Sequence, residues 1–240
     1  MIEVKSLTKV YGKKHNVFTA LDDVSFEVPT GASVAIIGKS GSGKSTLMHI
    51  MSGLDRPNEG EVVVNGENIL ELKQKAIDKF RATKMSFIFQ SFFVQANETC
   101  FDNVSLPLEI AKVPIGERRK RVTKALEAVE LGDKLKQKAK NLSGGQKQRL
   151  AIARAIVNEP EIIFADEPTG NLDSVTGEKV EDILFSYNKK NGVTLIIVTH
   201  DPDLAQKCDM QINIKDGKIE SIQYAKNKKA APRPSRRVVS

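Results

Sequence analysis

Three short runs of consecutive apolar residues stand out along the chain: Ser33-Val34-Ala35-Ile36-Ile37, Ile162-Ile163-Phe164-Ala165 and Thr194-Leu195-Ile196-Ile197-Val198-Thr199. Runs rich in β-branched residues and without a polar side predict strands buried on both faces of a parallel sheet. Each run ends on polar residues: the glycine-rich stretch from Gly38, the pair Asp166-Glu167, and His200. Ligands of open α/β sheets sit beyond the carboxyl ends of the strands, so the three endings predict one shared site. Elsewhere the pattern changes. Residues 1–28 and 61–69 alternate, which predicts short strands in an antiparallel patch beside the main sheet. Thr46 to Met51 reads as a helix stopped at Gly53. Residues from about 92 to 158 carry a helical pattern, including a helix from Lys147 to Val157 that ends before Asn158-Glu159-Pro160. Gln211 to Ile219 reads as a hairpin turning at Asp216-Gly217. The expected fold class is α/β.

The stretch Gly38-Lys39-Ser40-Gly41-Ser42-Gly43-Lys44-Ser45-Thr46 fits G-x-x-x-x-G-K-[ST], between a predicted strand and a predicted helix. That is the pattern of a P-loop NTPase, in which backbone N–H groups wrap around a nucleotide's phosphates. Lys44 brings a fixed positive charge to the outer phosphates, and the Ser45 hydroxyl is placed to ligate Mg²⁺. Phosphoryl transfer needs positioning and charge neutralisation above all, which suggests the remaining roles. Asp166 holds Mg²⁺, directly or through water; Glu167 orients and polarises the attacking water as general base; His200 contacts the γ-phosphate. Taken singly, Asp166-Glu167 also reads as a solvated loop pair or a helix N-cap, and His200 as a plain loop residue. Their shared position at strand ends is what raises them.

Leu142-Ser143-Gly144-Gly145-Gln146 opens the helix predicted from Lys147. A serine and two glycines there offer free N–H groups and a positive dipole end, a second anion-binding surface. Ser143 and Gln146 also make a capping box, and the two readings are compatible. With this segment the chain resembles the ATP-binding cassette (ABC) ATPases over about residues 1–220. The features stand in the family's order: Tyr11, residues 38–46, Gln90, the 142–146 signature, Asp166-Glu167, Gly170-Asn171-Leu172-Asp173, then His200. The resemblance implies ATP and Mg²⁺ as cofactors, with Tyr11 stacked on the adenine and Gln90 touching Mg²⁺ or the lytic water. It implies that Ser143 and Gly145 contact the γ-phosphate of ATP bound to a second subunit, and that Leu172-Asp173 lines the boundary between subunits. The implied architecture is a RecA-like parallel-sheet core with an antiparallel β subdomain (about 1–91 and 159–223) and a helical signature subdomain (about 92–158). Residues 224–240 follow as a basic tail expected to be disordered.

One P-loop and one signature, without an internal repeat, cannot complete a shared site, so two copies are expected to meet head to tail around two ATP molecules. Val17 to Phe26, Gly53-Leu54-Asp55-Arg56-Pro57 and Gly170 to Ser174 look most like the branch serving lipoprotein release, macrolide export and antimicrobial-peptide resistance. Members of that branch work with a separate integral membrane permease, by export or mechanical transmission. The cell-division ATPase with a similar permease is a close alternative. One departure is Ser91 to Phe101, where the branch usually shows an aromatic followed by a leucine-rich, proline-containing stretch. Phe92, Phe93 and Phe101 either line the permease groove or belong to the core.

Composition narrows the setting. No run reaches the ~18–20 apolar residues that cross a bilayer, and Met1 to Lys5 alternates as a strand rather than a secretion signal. Cys100 and Cys208 have no metal-binding or Cys-x-x-Cys spacing, and His15 and His49 no ligand partners. A reduced, cytoplasmic protein held peripherally at the inner face of the membrane by its permease is expected. The net charge is +7, and the six basic residues of 221–240 (Lys226, Lys228, Lys229, Arg233, Arg236, Arg237) leave +1 for the remainder. The tail reads either as a solubilising segment or as one attracted to anionic lipid; nucleic acid is a minor candidate. Arg118-Arg119-Lys120-Arg121 reads as a solvated helix face. The rival class, a soluble ABC ATPase acting on nucleic acid or ribosomes, lacks its usual second cassette or inserted coiled coil. An inactive regulatory module is disfavoured because every ATP-contacting position is intact.

Overall fold

The computed structural model describes residues 1–12 and 16–225. His15 and the basic run 226–240, with the tail expectations that rest on it, lie outside the described residues. In chain order, β1 (Ile2–Tyr11) and β2 (Phe18–Val28) pair antiparallel, and β3 (Ser33–Ile37) leads through the glycine loop into α1 (Lys44–Met51). β4 (Glu59–Val64) and β5 (Glu67–Asn68) return to the first pair, and α2 (Gln74–Lys84) leads into β6 (Met85–Ile88). Helices α3 (Cys100–Ile110), α4 (Ile115–Ala128) and α5 (Gly144–Ile156) follow. Then come β7 (Ile162–Asp166), α6 (Ser174–Asn191), β8 (Thr194–Val198), the short α7 (Pro202–Gln206) and the hairpin β9 (Met210–Lys215) and β10 (Lys218–Tyr224). One sheet is antiparallel in the order β2-β1-β4-β5; the other runs β10-β9-β3-β8-β7-β6, parallel except at its β9–β10 edge.

The three apolar runs are the centre of the parallel sheet, and their period-2 geometry divides the core. Val34, Ile36, Phe164, Ile196 and Val198 pack on the side of α1 and the antiparallel sheet. Ala35, Ile163, Ala165, Leu195 and Ile197 pack on the side of α3 to α6. Both faces of every central strand are dry, which is why these strands read as continuous apolar runs. Phe164 is fully buried and stacks on Phe87 at 5.5 Å between centroids. Phe101 packs against the helical-side core, whereas Phe93 is 67% exposed. Arg118 and Arg121 lie partly exposed and pair with Glu109 and Glu117. Among the described residues no helix is long and apolar enough to cross a membrane.

The hairpin turns at Asp216-Gly217, both with positive φ (48° and 77°), as a two-residue type I′ turn requires. That turn grips the glycine loop from outside: Gly217 N–H donates to Ser42 O at 3.1 Å, and Asp22 N–H donates to Gly217 O at 2.9 Å. The strands β1 and β2 are longer than expected, at 10 and 11 residues, and β10 continues to Tyr224. Helix α5 begins three residues before the expected Lys147. The Ser143–Gln146 capping box closes in both directions and satisfies the N–H groups of Ser143 and Gln146.

Helices α2, α6 and α7 escaped the apolar pattern. On α6 the inward positions are Gly177, Val180, Glu181, Leu184 and Asn188, a helical spacing filled mainly with non-apolar residues. Each buried polar group there has a partner: Glu181 takes Lys207 at 2.7 Å, and Asn188 Nδ2 donates to Gly31 O and Val193 O. The end signals were present, with Asp173 as N-cap and Gly192 in the left-handed region after the last turn. Where α6 meets α5, Gly145 is buried, and a Cβ there would lie 2.0 Å from Thr176 Cγ2. Gly145→Ala is therefore expected to cost about 1–3 kcal/mol of stability. Thr176→Ser, which removes the opposing methyl, is expected to restore most of it in the double variant, as urea unfolding of the single and double variants would measure.

Candidate functional site

The glycine loop is built by where β3 ends and α1 begins. Gly43 is the N-cap of α1 with φ 103°, and a Cβ there would lie 2.4 Å from Ala20 O, so no other residue fits. The loop's N–H groups and the first turn of α1 thereby face one space, an anion-binding arrangement that needs no side chain. Lys44 Nζ donates to the carbonyls of Gly38 and Lys39, each at 2.8 Å, which holds the ammonium across the loop.

A cavity of about 690 Å³ opens here, lined by Gly38, Lys39, Ser40, Gly41, Gly43, Lys44, Ser45 and Thr46 together with Gln90, Asp166, Glu167 and His200. The endings of all three apolar runs thus converge, as their sequence positions predict. The volume is that of a site for a nucleotide-sized ligand. Four sequence candidates stand elsewhere. Ser42 is buried, lies against the β9–β10 hairpin and has no hydrogen-bond partner for its hydroxyl. Tyr11, Ser143 and Gly145 do not line the cavity. Ser143 and Gly144 are exposed at the start of α5.

The carboxylates differ in setting. Asp166 is half-buried at the end of β7; burial, and then the Glu167 carboxylate, push its pKa above the ordinary range against the pull of His49 and Lys44. Glu167 has φ 47°, a left-handed conformation that costs a non-glycine residue about 1–3 kcal/mol. It is held there from β8: its N–H donates to Val198 O at 2.9 Å, and Thr199 Oγ1 donates to its Oε2 at 3.3 Å. Its Oε1 lies 2.7 Å from His200 Nδ1. His200 is itself exposed, so the strained backbone aims Glu167 into the cavity and the histidine marks its outer edge.

Several contacts that frame the site were not assigned from sequence. Asn171 Nδ2 donates to Gln90 O at 3.0 Å, and Gln90 Nε2 donates to Asn171 Oδ1 at 3.3 Å, which locks the glutamine to the loop after β7. Arg154, whose pKa burial lowers, donates to the carbonyls of Phe92 and Phe93, and Gln148 Nε2 donates to Pro168 O at 2.7 Å. Helix α5 thereby holds both segments that frame the carboxylates. Phe18 lines the cavity beside Ala20, opposite Tyr11 on the β1–β2 ladder, and no spacing in the sequence marks it.

The donor set suits Mg²⁺. Ser45, Gln90 and Asp166 offer oxygens to the same cavity, and no cluster of three or more His, Cys, Asp or Glu suited to a metal occurs among the described residues. Mg²⁺ is ordinarily held by one or two side chains, waters and phosphate oxygens, so a sparse oxygen set beside a phosphate cradle fits it.

A phosphate cradle, an acidic pair and a histidine meeting at the ends of parallel strands define a P-loop nucleoside triphosphatase. A match to the ABC transporter family spans residues 21–170, and the chain belongs to that family as an ATP-binding, ATP-hydrolysing cassette. It is 41% identical over 219 residues to the lipoprotein-releasing system ATP-binding protein LolD of Syntrophus aciditrophicus, covering 91% of this chain and 98% of that protein. It is 43% identical over 236 residues to the macrolide export ATP-binding/permease protein MacB of Aggregatibacter actinomycetemcomitans, covering 98% of this chain and 36% of that protein. The fold superimposes on the ATP-binding cassette MJ0796, solved as a dimer in a post-hydrolysis state with ADP and Pi. The TM-score is 0.84 at 41% identity, over 93% of this chain and 98% of that one.

The Glu167 hydrogen bond, and then its charge, raise the pKa of His200 above the ordinary histidine value. The partner favours the imidazolium, so the contact is complete below the unfolded-state pKa and is lost as pH rises through the raised one. In the nucleotide-free protein, His200 is expected to titrate above the usual range, and Glu167→Gln to return it toward that range, as an NMR titration of the histidine rings would report.

Proposed function

We propose that this chain is the Mg²⁺-dependent motor of a membrane system, closing head to tail with a second copy on ATP to drive a separate permease of the export or mechanotransmission type. The observation that carries this reading is the separation within one chain of the phosphate cradle from the exposed start of α5. A helix N-terminus bearing Ser143, Gly144 and Gly145 is suited to anions, yet none of the three lines this chain's own cavity. A second copy supplies the geometry in which that surface meets a γ-phosphate. The dimeric state of MJ0796 and the names of LolD and MacB support the assembly and the branch. The cell-division ATPase with a similar permease shares this chemistry and differs in its membrane partner.

In this reading Tyr11 stacks on the adenine, and residues 38–46 wrap the phosphates with Lys44 across the outer pair. Ser45, Gln90 and Asp166 would hold Mg²⁺, Asp166 directly or through water, and the ion would supply charge neutralisation when bound. Glu167 accepts a proton from the water that attacks the γ-phosphorus as the bond to ADP breaks. Thr199 and β8 keep Glu167 aimed, and His200 contacts the γ-phosphate. Residues 1–91 and 159–223 form the core with its β subdomain, and 92–158 the helical subdomain. Leu172-Asp173 sits at the copy-to-copy boundary, and the permease holds the assembly at the cytoplasmic face of the membrane.

The test is Glu167→Gln. Turnover is expected to fall by about 10²–10⁴-fold with ATP binding kept, and sedimentation is expected to show the variant doubling in mass with ATP. Capture from solubilised membranes is expected to recover a permease, more with ATP than without. Undiminished hydrolysis would remove Glu167 from the mechanism. Recovery of ribosomes or nucleic acid without a membrane protein would overturn the transport reading.

A further inference from the structure

Tyr11 is the last residue of β1, and its hydroxyl is fixed mainly from outside the cavity, with the cavity-lining Thr46 side chain beside it. Its hydroxyl donates to Asp55 Oδ2 at 2.7 Å, and Lys9 Nζ sits 4.7 Å from the ring centroid. Asp55 Oδ1 accepts from Lys9 Nζ at 2.9 Å and from Arg56 N–H at 2.7 Å, so one carboxylate ties together the tyrosine, the lysine over it and its own loop. That loop is itself secured. Leu54 and Asp55 N–H groups donate to His49 O on α1, Asn58 N–H donates to Thr8 O, and Val10 N–H donates to Asn58 Oδ1 at 2.7 Å. Arg56 reaches the carbonyls of Leu70 and Leu72 at 3.0 and 3.1 Å.

The connection has a direction. The N-terminus of α1 forms the phosphate loop, and the turn leaving its C-terminus presents Asp55. The loop after α1 folds back onto His49, so the helix that begins in the phosphate loop also supports the residue that anchors Tyr11. Resting on the reading that Tyr11 receives the nucleobase, we propose that Asp55 is a positioning residue for nucleotide binding. It fixes the Tyr11 ring before the base arrives, so that binding does not have to order that side chain. Tyr11 is 40% exposed, and an unanchored aromatic so exposed would sample several rotamers; ordering a side chain on binding weakens affinity. Lys9 occupies one face of the ring, which leaves a single face for a base.

The experiment compares Tyr11→Phe, Asp55→Ala, their double variant and Tyr11→Ala in the full chain. Affinity is measured by calorimetry for ATP and for inorganic tripolyphosphate, which has no base. Tyr11→Phe keeps the ring and removes the hydroxyl's contacts with Asp55 and Thr46, whereas Asp55→Ala removes the Asp55 contact alone. It and Asp55→Ala are each expected to weaken ATP about fivefold, with tripolyphosphate unchanged and the double variant no worse than the more affected single. Tyr11→Ala is expected to weaken ATP further. If Tyr11→Ala weakens ATP while Tyr11→Phe and Asp55→Ala do not, the base reading stands and the positioning role of Asp55 falls. If Tyr11→Ala leaves ATP affinity unchanged, the base reading itself falls and takes this inference with it. Equal loss of tripolyphosphate in Asp55→Ala would assign Asp55 to the general integrity of the loop and overturn the proposal.

Discussion

A parallel sheet dry on both faces leaves its chemistry one place to go. Val34, Ala35 and Ile36 on β3, with Ile196 and Ile197 on β8, are buried on opposite sides of the same strands, so no polar side chain can project from the middle of the sheet without stranding itself. Polar groups collect where the strands stop. The glycine loop, Asp166-Glu167 and His200 follow from this single constraint, and so does their meeting in one cavity. Even Gln90, which shares no strand with them, arrives two residues beyond β6 at the same edge.

Position alone does not aim a side chain, and the site adds a second layer of control. Glu167 adopts a backbone conformation unfavourable for a residue with a Cβ, and the bond from its N–H to Val198 O keeps it there. The distortion lies between a strand whose register is fixed and a helix whose N-cap, Asp173, accepts from Thr176 N–H at 3.0 Å. A strained residue persists only where its surroundings over-determine it, and here the neighbouring segment 89–93 is pinned as well, through Asn171 and Arg154. The carboxylates are thus framed by backbone carbonyls that α5 and the loop after β7 have already engaged. Movement of α5 relative to the sheet would reach Gln90 and Glu167 through those bonds rather than through packing alone.

What the sequence made legible follows the same physics. Strands buried on both faces announce themselves in runs, and a phosphate loop announces itself in glycines whose conformations other residues reject, as Gly43 does against Ala20 O. Helix α6 stayed hidden because its inner face carries Gly177, Glu181 and Asn188, whose burial is balanced by specific partners and not by apolar area. Phe18, Asn171 and Thr199 stayed hidden for a related reason. Asn171 and Thr199 act on residues distant in the chain, Phe18 through a strand register broken by bulges, and no local spacing encodes these roles. Ser42 shows a role that the motif does not announce: its carbonyl is gripped by the hairpin turn on the loop's outer side.

Gly145 separates two demands that a short motif combines. Its lack of a side chain is required inside this chain, because Thr176 of α6 fills the space a Cβ would take. Its N–H, by contrast, belongs to the first turn of α5, where such groups have no intrahelical acceptor. Ser143 uses its hydroxyl to satisfy Gln146 N–H while remaining exposed. Internal packing therefore sets how α5 is held, while the free polar groups of its first turn remain available at the surface. On the proposed reading, a helix start settled for packing but with polar groups left free would let closure on ATP depend on a second molecule.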